Sequence, residues 1–421
     1  MKGVLRRSAF ALMWCGQLVS SVGDWMLLAA LPFYVYDLTG SPFATGAMFM
    51  AQVAPGLIVA PLAGVWADRL DPKRTMIATD LLRAVVIVSL VTVRSREFVW
   101  VIYVVGFVES AISRFAFSTK SAVLPRLISG GQLVTANTLM VLGDNAARLV
   151  GPALGGAVLA SFGLRAIVAL DSLSYLCSAL LIAFTRMPSS ASIATPDVGV
   201  SPALKVVTSV RTEWIAGLRL IGQDSLIIQL FVIGMLGWLA DGAVTALIVV
   251  FVSDVLRVDA AHFGWLLTAR GLGGLIGGLV LGGVASRVEA TRLLAIGFGS
   301  CGLALIVIVA FPSFLVAMTC FLLIGIPATA WLAAEQSLLQ AAVSDMYRGR
   351  VFGSYQACVG FALLFGMGVG GAVAQALGVV PILEIASGVY VLAGGMSLFV
   401  SRRNTPEYYR KRGHAFVGRS E

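Results

Sequence analysis

Residues Gly64 to Arg74 read Gly-Val-Trp-Ala-Asp-Arg-Leu-Asp-Pro-Lys-Arg and gather five charges in one short turn. The stretches on either side, 43–67 and 75–93, are apolar and each long enough to cross a bilayer, which takes ~20 helical residues. A charged turn between two such stretches is a loop at a membrane surface. Working outward, the rest of the chain repeats this alternation.

Of 421 residues, 58% are hydrophobic and 12% charged, with a mean hydropathy of +0.93; soluble domains carry about 25% charged residues. In lipid every backbone polar group must be paired internally, which leaves helices for segments this long. Twelve segments fit: 9–36, 43–67, 75–93, 98–119, 136–161, 164–186, 226–253, 260–285, 292–311, 314–334, 351–377 and 380–401. The expectation is an all-α membrane protein with twelve transmembrane helices. The net charge of +9 does not point to nucleic acid, because the basic residues sit in short loops between spans. The cysteines Cys15, Cys177, Cys301, Cys320 and Cys358 lie singly in apolar segments, without the spacing of metal ligands. Met1–Phe10 imitates the start of a signal peptide, but the apolar run continues to about Tyr36. It is therefore expected to be an uncleaved first span.

With the amino terminus in the cytoplasm, twenty-two Lys and Arg fall in inside segments and four outside, Arg94, Arg96, Arg165 and Arg257. The positive-inside rule then puts both termini in the cytoplasm. Residues 1–186 form a first six-helix bundle and 226–401 a second. Between them, 187–225 opens with Pro-Ser-Ser-Ala-Ser and closes with a basic amphipathic piece at Trp214 to Ile221, a linker with an interfacial helix; 402–421 is a basic tail. The halves resemble each other. Asp24 and Asp37 return 217 positions later as Asp241 and Asp254; Gly64, Arg69 and Arg74 return at an offset of 218 as Gly282, Arg287 and Arg292. Gly155-Gly156-Ala157-Val158 and Gly163 return at 215 as Gly370-Gly371-Ala372-Val373 and Gly378. Six spans separate the copies, so they share one orientation, a parallel repeat suited to alternating access.

Gly64, Ala67, Asp68, Arg69, Lys73 and Arg74 resemble the loop signature between the second and third helices of the major facilitator superfamily. Trp66, Asp71 and Pro72 depart from it, and Asp-Arg-Leu-Asp-Pro-Lys-Arg is similar to the macrolide-efflux and enterobactin-exporter branch. The resemblance implies the major facilitator fold, two pseudo-symmetric six-helix bundles, and a cytoplasmic latch at this turn. Asp68 near a helix C-terminal end is disfavoured by the dipole and needs a cation, such as Arg69 or Lys73. A charged turn that only fixes topology is the plainer alternative. Gly151-Pro152-Ala153-Leu154-Gly155-Gly156 is similar to the family's antiporter signature; the plainer account is small-residue helix packing.

An ionisable side chain in the bilayer core costs ~2.5–3.5 kcal/mol, so each is a functional candidate. At ~1.5 Å per residue, Asp24, Glu109, Arg148, Asp241 and Arg270 fall near the midplane, with Arg114 and Asp144 in the inner third. Asp144 and Arg148 stand one turn apart and can neutralise each other. Glu109 and Arg114 do not share a helix face, so their partners should come from other helices. His262 lies in an outer loop and His414 in the tail. Proton coupling therefore falls to carboxylates: Asp24 and Glu109 first, then Asp241. Each can equally be a structural ion pair or a polar anchor.

Gly366 to Gly371 satisfies Gly-x-Gly-x-x-Gly but lies inside a span, and no Gly-x-x-x-x-Gly-Lys-[Ser/Thr] occurs. Neither a dinucleotide nor ATP is expected, and no enzyme activity or metal. The resemblance implies a monomeric exporter of small amphipathic compounds (drugs, macrolides or siderophores) by proton antiport in the bacterial inner membrane. The proton gradient is the energy source. An uptake symporter for a small polar solute, or a non-transporting sensor or assembly protein, stays open.

Overall fold

A computed structural model of the chain describes residues 8–59, 70–128, 132–185, 225–284, 288–343 and 347–403. Gly64, Asp68 and Arg69, the linker up to Asp224 with its interfacial piece, and the tail from Asn404 lie outside the described residues.

Twelve helices account for nearly all of them: α1 Ser8–Thr39, α2 Pro42–Ile58, α3 Pro72–Val88, α4 Val99–Leu127, α5 Leu133–Phe162 and α6 Leu164–Ala183. These are followed by α7 Ser225–Val250, α8 Ala260–Val284, α9 Ala290–Ala310, α10 Phe314–Ala342, α11 Arg348–Leu377 and α12 Val379–Arg403. Ten are long and apolar enough to cross a membrane. The exceptions are α2, described over 17 residues, and α5, diluted by Asp144, Asn145, Arg148 and its glycines.

Local chemistry sets the helix ends. Ser41 and Ser313 accept hydrogen bonds from the backbone N–H groups of Ala44 and Val316, capping α2 and α10. Asp71 does the same for Arg74 N at 2.9 Å, with Pro72 in the first turn. The departure of Asp71 and Pro72 from the family loop is thus a helix start. Gly163 and Gly378, with φ of 73° and 87°, turn the chain from α5 into α6 and from α11 into α12, a conformation costly for other residues. The 215-residue repeat therefore preserves backbone geometry as well as residue type.

Several helices outrun their expected spans. α4 continues through Pro125 to Leu127, which turns Lys120 from a loop residue into a half-buried helix residue. α10 continues to Ala342 and so takes in Glu335.

The chain divides into two compact units, Met1–Leu204 with Thr245–Gly271, and Lys205–Val244 with Leu272–Glu421. In the first, α1 packs against α5 and α6, α3 against α6 and α4, and α2 against α4. In the second, α9 packs against α10 and α12.

The first unit has two separate apolar clusters. One joins Met26, Leu31, Val35, Ile87, Ile102 and Ile167. The other joins Phe10, Met13, Met76, Val123, Leu124 and Ile182. Along α1, α3, α4 and α6 the residues between these clusters include Asp24, Asp80, Arg83, Glu109 and Ser178, while Asp171 lies within the α6 part of the first cluster. A polar layer is sandwiched between two apolar ones.

Candidate functional site

Arg83 of α3 is the centre of that layer. Its side chain is only 4% exposed, and it reaches carboxylates from two other helices. Nη2 donates to both oxygens of Asp24 on α1, at 3.0 and 3.1 Å. Nε donates to Glu109 Oε1 on α4 at 2.8 Å, and Nη2 reaches the same oxygen at 2.5 Å. From α6, Tyr175 donates its hydroxyl to Asp24 Oδ1 and lays its ring under the guanidinium, 4.2 Å from ring centroid to Cζ. Four helices thus meet on one planar cation. Its rigid planar fork serves two carboxylates at once in a fixed geometry, where a lysine would offer a single nitrogen.

Access to the cluster is one-sided. Asp24 exposes 35% of its side chain and Glu109 20%, while Arg83 and Tyr175 are buried. The carboxylates are the partly accessible members of the cluster and the guanidinium is covered. With two acids to one base, the group is able to bind one proton and become neutral.

Two further acids lie one helical turn away. Asp171 of α6 is fully buried beside Gly23; a Cβ at position 23 would collide with its carboxyl. Its Oδ1 accepts from Ser174 at 3.3 Å, and its Oδ2 has no partner. Asp80 of α3, also fully buried, accepts from Ser178 at 2.6 Å through Oδ2 and leaves Oδ1 unpaired. None of Arg83, Tyr175, Asp80 and Asp171 was singled out from the sequence. The signal that could have found them is helical spacing: Asp80 with Arg83 three apart, and Asp171, Tyr175 and Ser178 at steps of four and three, put polar groups on one face of each helix.

The remaining candidates are dispersed. Arg114 lies against Gly56 of α2. Asp144 and Arg148 are exposed on α5, and no ion pair joins them; the Arg148 guanidinium lies over the Trp25 ring, 4.8 Å from its centroid. The ring contact thus stands where an Asp144 ion pair was expected. Lys73 donates to the carbonyl oxygens of Ala183 and Thr185, at 2.7 and 2.8 Å, so it closes the end of α6. The glycines of α5 serve two neighbours. Cβ atoms at Gly151 and Gly155 would meet Trp25 and the Met26 backbone of α1; one at Gly156 would meet the Ala260 carbonyl of α8. The Pro152 carbonyl likewise stands against Gly264. Among the described residues no three His, Cys, Asp or Glu converge as a metal site would require.

Residues 3–411 match the family described as transmembrane secretion effectors. The chain belongs to this family of major facilitator transporters. It is 26% identical over 409 residues to the uncharacterized MFS-type transporter YfiS of Bacillus subtilis (strain 168), covering 91% of this chain and 90% of that protein. It is 24% identical to macrolide efflux protein A of Streptococcus pyogenes, over 88% of this chain and 90% of that one. Identity to the enterobactin exporter EntS of Escherichia coli O1:K1 / APEC is 23%, over 86% and 85%. A crystal structure of a bacterial homologue of the iron transporter ferroportin superposes with a TM-score of 0.74 at 17% identity, covering 95% of this chain and 100% of that one. These likenesses establish a multi-pass bacterial membrane protein with the major facilitator fold.

The second unit of this transporter repeats part of the site. Tyr390 of α12 donates to Asp241 of α7 at 2.9 Å, and the repeat relates these two residues to Tyr175 and Asp24. At the offset of 218 that pairs Arg74 with Arg292, Arg83 corresponds to Cys301. Buried Glu335 of α10 instead accepts from Tyr355 and Trp238.

Proposed function

We propose that this transporter exports small amphipathic organic compounds in exchange for protons. The observation that carries the reading is Arg83 shared between Asp24 and Glu109. An ion cluster with one surplus carboxylate changes its net charge when it takes a proton, and that change alters what holds α1, α3, α4 and α6 together. Protonation of Asp24 would weaken its pull on Arg83 and leave the guanidinium to Glu109, so proton occupancy and helix packing are coupled. The relatives named for macrolide efflux and enterobactin export support the outward direction and the amphipathic cargo. Charge bias in the loops supports cytoplasmic termini in the cell membrane. One proton falling through ~100 mV supplies about 2.3 kcal/mol, sufficient for a modest cargo gradient. The turn at Gly64 to Arg74 is proposed as the latch that couples this change to the cytoplasmic side, with Asp68 as its acid.

The test is proton-driven efflux of a fluorescent macrolide or dye from inverted vesicles bearing the wild-type or the Asp24→Asn protein. Loss of gradient-dependent transport with normal expression and retained substrate binding is the expected result. Gradient-driven transport by Asp24→Asn at the wild-type rate would remove Asp24 from the coupling.

A further inference from the structure

Glu335 takes no part in the proton site, and its surroundings differ from that site in kind. The residue is 6% exposed; Trp238 Nε1, at 3.3 Å, and the Tyr355 hydroxyl both donate to its Oε1. Residue 234 is glycine, and a Cβ there would strike the Tyr355 hydroxyl and crowd Oε1. Around the carboxyl stand aromatic rings. Trp331 meets Trp238 edge-on at 5.8 Å between centroids and stacks on Phe298 at 4.7 Å.

The Glu335 carboxyl is hydrogen-bonded by aromatic hydroxyl and indole groups. Among the described residues no Lys, Arg or His forms an ion pair with Glu335. Tyr355 comes from α11 and Trp238 from α7, and Trp331 stands one turn before Glu335 on α10. Where the first unit builds in Arg83, the repeat has Cys301. A buried carboxylate without a counter-charge is costly, so a cation entering here gains more than one meeting a solvated acid. Inorganic cations such as calcium take six or more oxygens, and no cluster of that kind exists among the described residues. Indole and phenol faces attract organic cations, by ~0.5–2 kcal/mol for each well-placed ring, and accept their hydrocarbon substituents. Trp238 is half-buried, so the carboxyl is not sealed from solvent.

We propose that Glu335, with Trp238, Trp331 and Tyr355, binds the cationic group of an organic amine or quaternary ammonium cargo. It rests on the export reading only in calling this ligand a cargo. Binding is measured on the full chain in detergent with no gradient, so a failure of proton coupling would show in vesicles and not here.

The experiment compares phenyltrimethylammonium with its uncharged isostere, tert-butylbenzene, by equilibrium binding. The wild type should prefer the cation. Glu335→Gln, which keeps an acceptor for Tyr355 and Trp238, should weaken the cation by about tenfold or more and leave the isostere unchanged. Glu335→Asp should recover part of the loss, which a merely structural role would not produce. Equal affinity of the wild type for the two ligands, or an equal effect of Glu335→Gln on both, would overturn the proposal.

Discussion

Tyr390 donates a 2.9 Å hydrogen bond to Asp241, and Tyr175 donates likewise to Asp24. Each tyrosine lies in the last helix of its half and each aspartate in the first. The two bonds are one contact present in both halves, while the second half has Cys301 at the position of Arg83. That asymmetry makes Arg83 the residue on which the first unit depends most.

Arg83→Leu leaves two carboxylates facing each other in a buried layer. Breaking a buried ion pair on one side costs ~3–5 kcal/mol, so the variant should unfold well below the wild type in detergent. Arg83→Lys should fold but hold its two partners less well, since an ammonium lacks the planar fork and its fixed geometry. Thermal unfolding by intrinsic fluorescence reads both; a Tm for Arg83→Leu equal to wild type would contradict the shared-cation account.

Gly155→Ala should be far more damaging than its size suggests, because the new methyl meets the Met26 backbone, which cannot move aside as a side chain does. Overpacking of this sort costs ~1–3 kcal/mol. Gly278→Ala provides the control, since a Cβ there meets nothing within 4 Å. Equal Tm values for the two variants would refute a tight α1–α5 seam.

Lys73→Met removes two charge-assisted bonds to the end of α6. Hydrogen bonds to charged groups are worth ~1.5–3 kcal/mol, less where solvent reaches them, so a loss of about 1–2 kcal/mol is expected. Hydrogen exchange should quicken at the amides near Ala183 before it does elsewhere. Unaltered exchange there would show that Lys73 does not hold α6.

Asp259, in the turn before α8, accepts from His262 N at 3.1 Å and from His262 Nδ1 at 2.6 Å. Burial pushes this carboxyl up, but the bonds from His262 outweigh it and hold the group below the usual carboxylate range. A lowered folded value means that the cap is intact above the unfolded value of ~3.9. It is lost as pH falls through the lower folded value. Carbon-13 titration of Asp259 should place its midpoint below ~3.9, and His262→Ala should raise it. A midpoint unaffected by His262→Ala would exclude this cap.

Hydropathy alone exposed the twelve helices, because the cost of an unpaired backbone group in lipid leaves no other choice for apolar runs of this length. Asp24 and Glu109 were legible as midplane acids for the same energetic reason. Their meeting on Arg83 was not: a lone arginine between Leu82 and Ala84 reads as part of a span, and which face of α3 turns toward α4 is decided by packing across 26 residues of chain. Glu335 was missed because its span was ended at 334, where α10 in fact continues to Ala342. Lys73 looked like a partner for Asp68, but the distance to the end of α6 is a tertiary fact with no local trace.

The two apolar clusters that bracket the polar layer have an electrical meaning. Along α1, α3, α4 and α6 the acids and Arg83 are cut off from both ends of the bundle by close-packed Met, Val, Ile and Phe. Between them Asp24 and Glu109 keep 35% and 20% of their side chains exposed, so a proton reaches the layer from its side rather than through the close-packed ends. The two clusters therefore confine any change of charge at Asp24 or Glu109 to the layer between them.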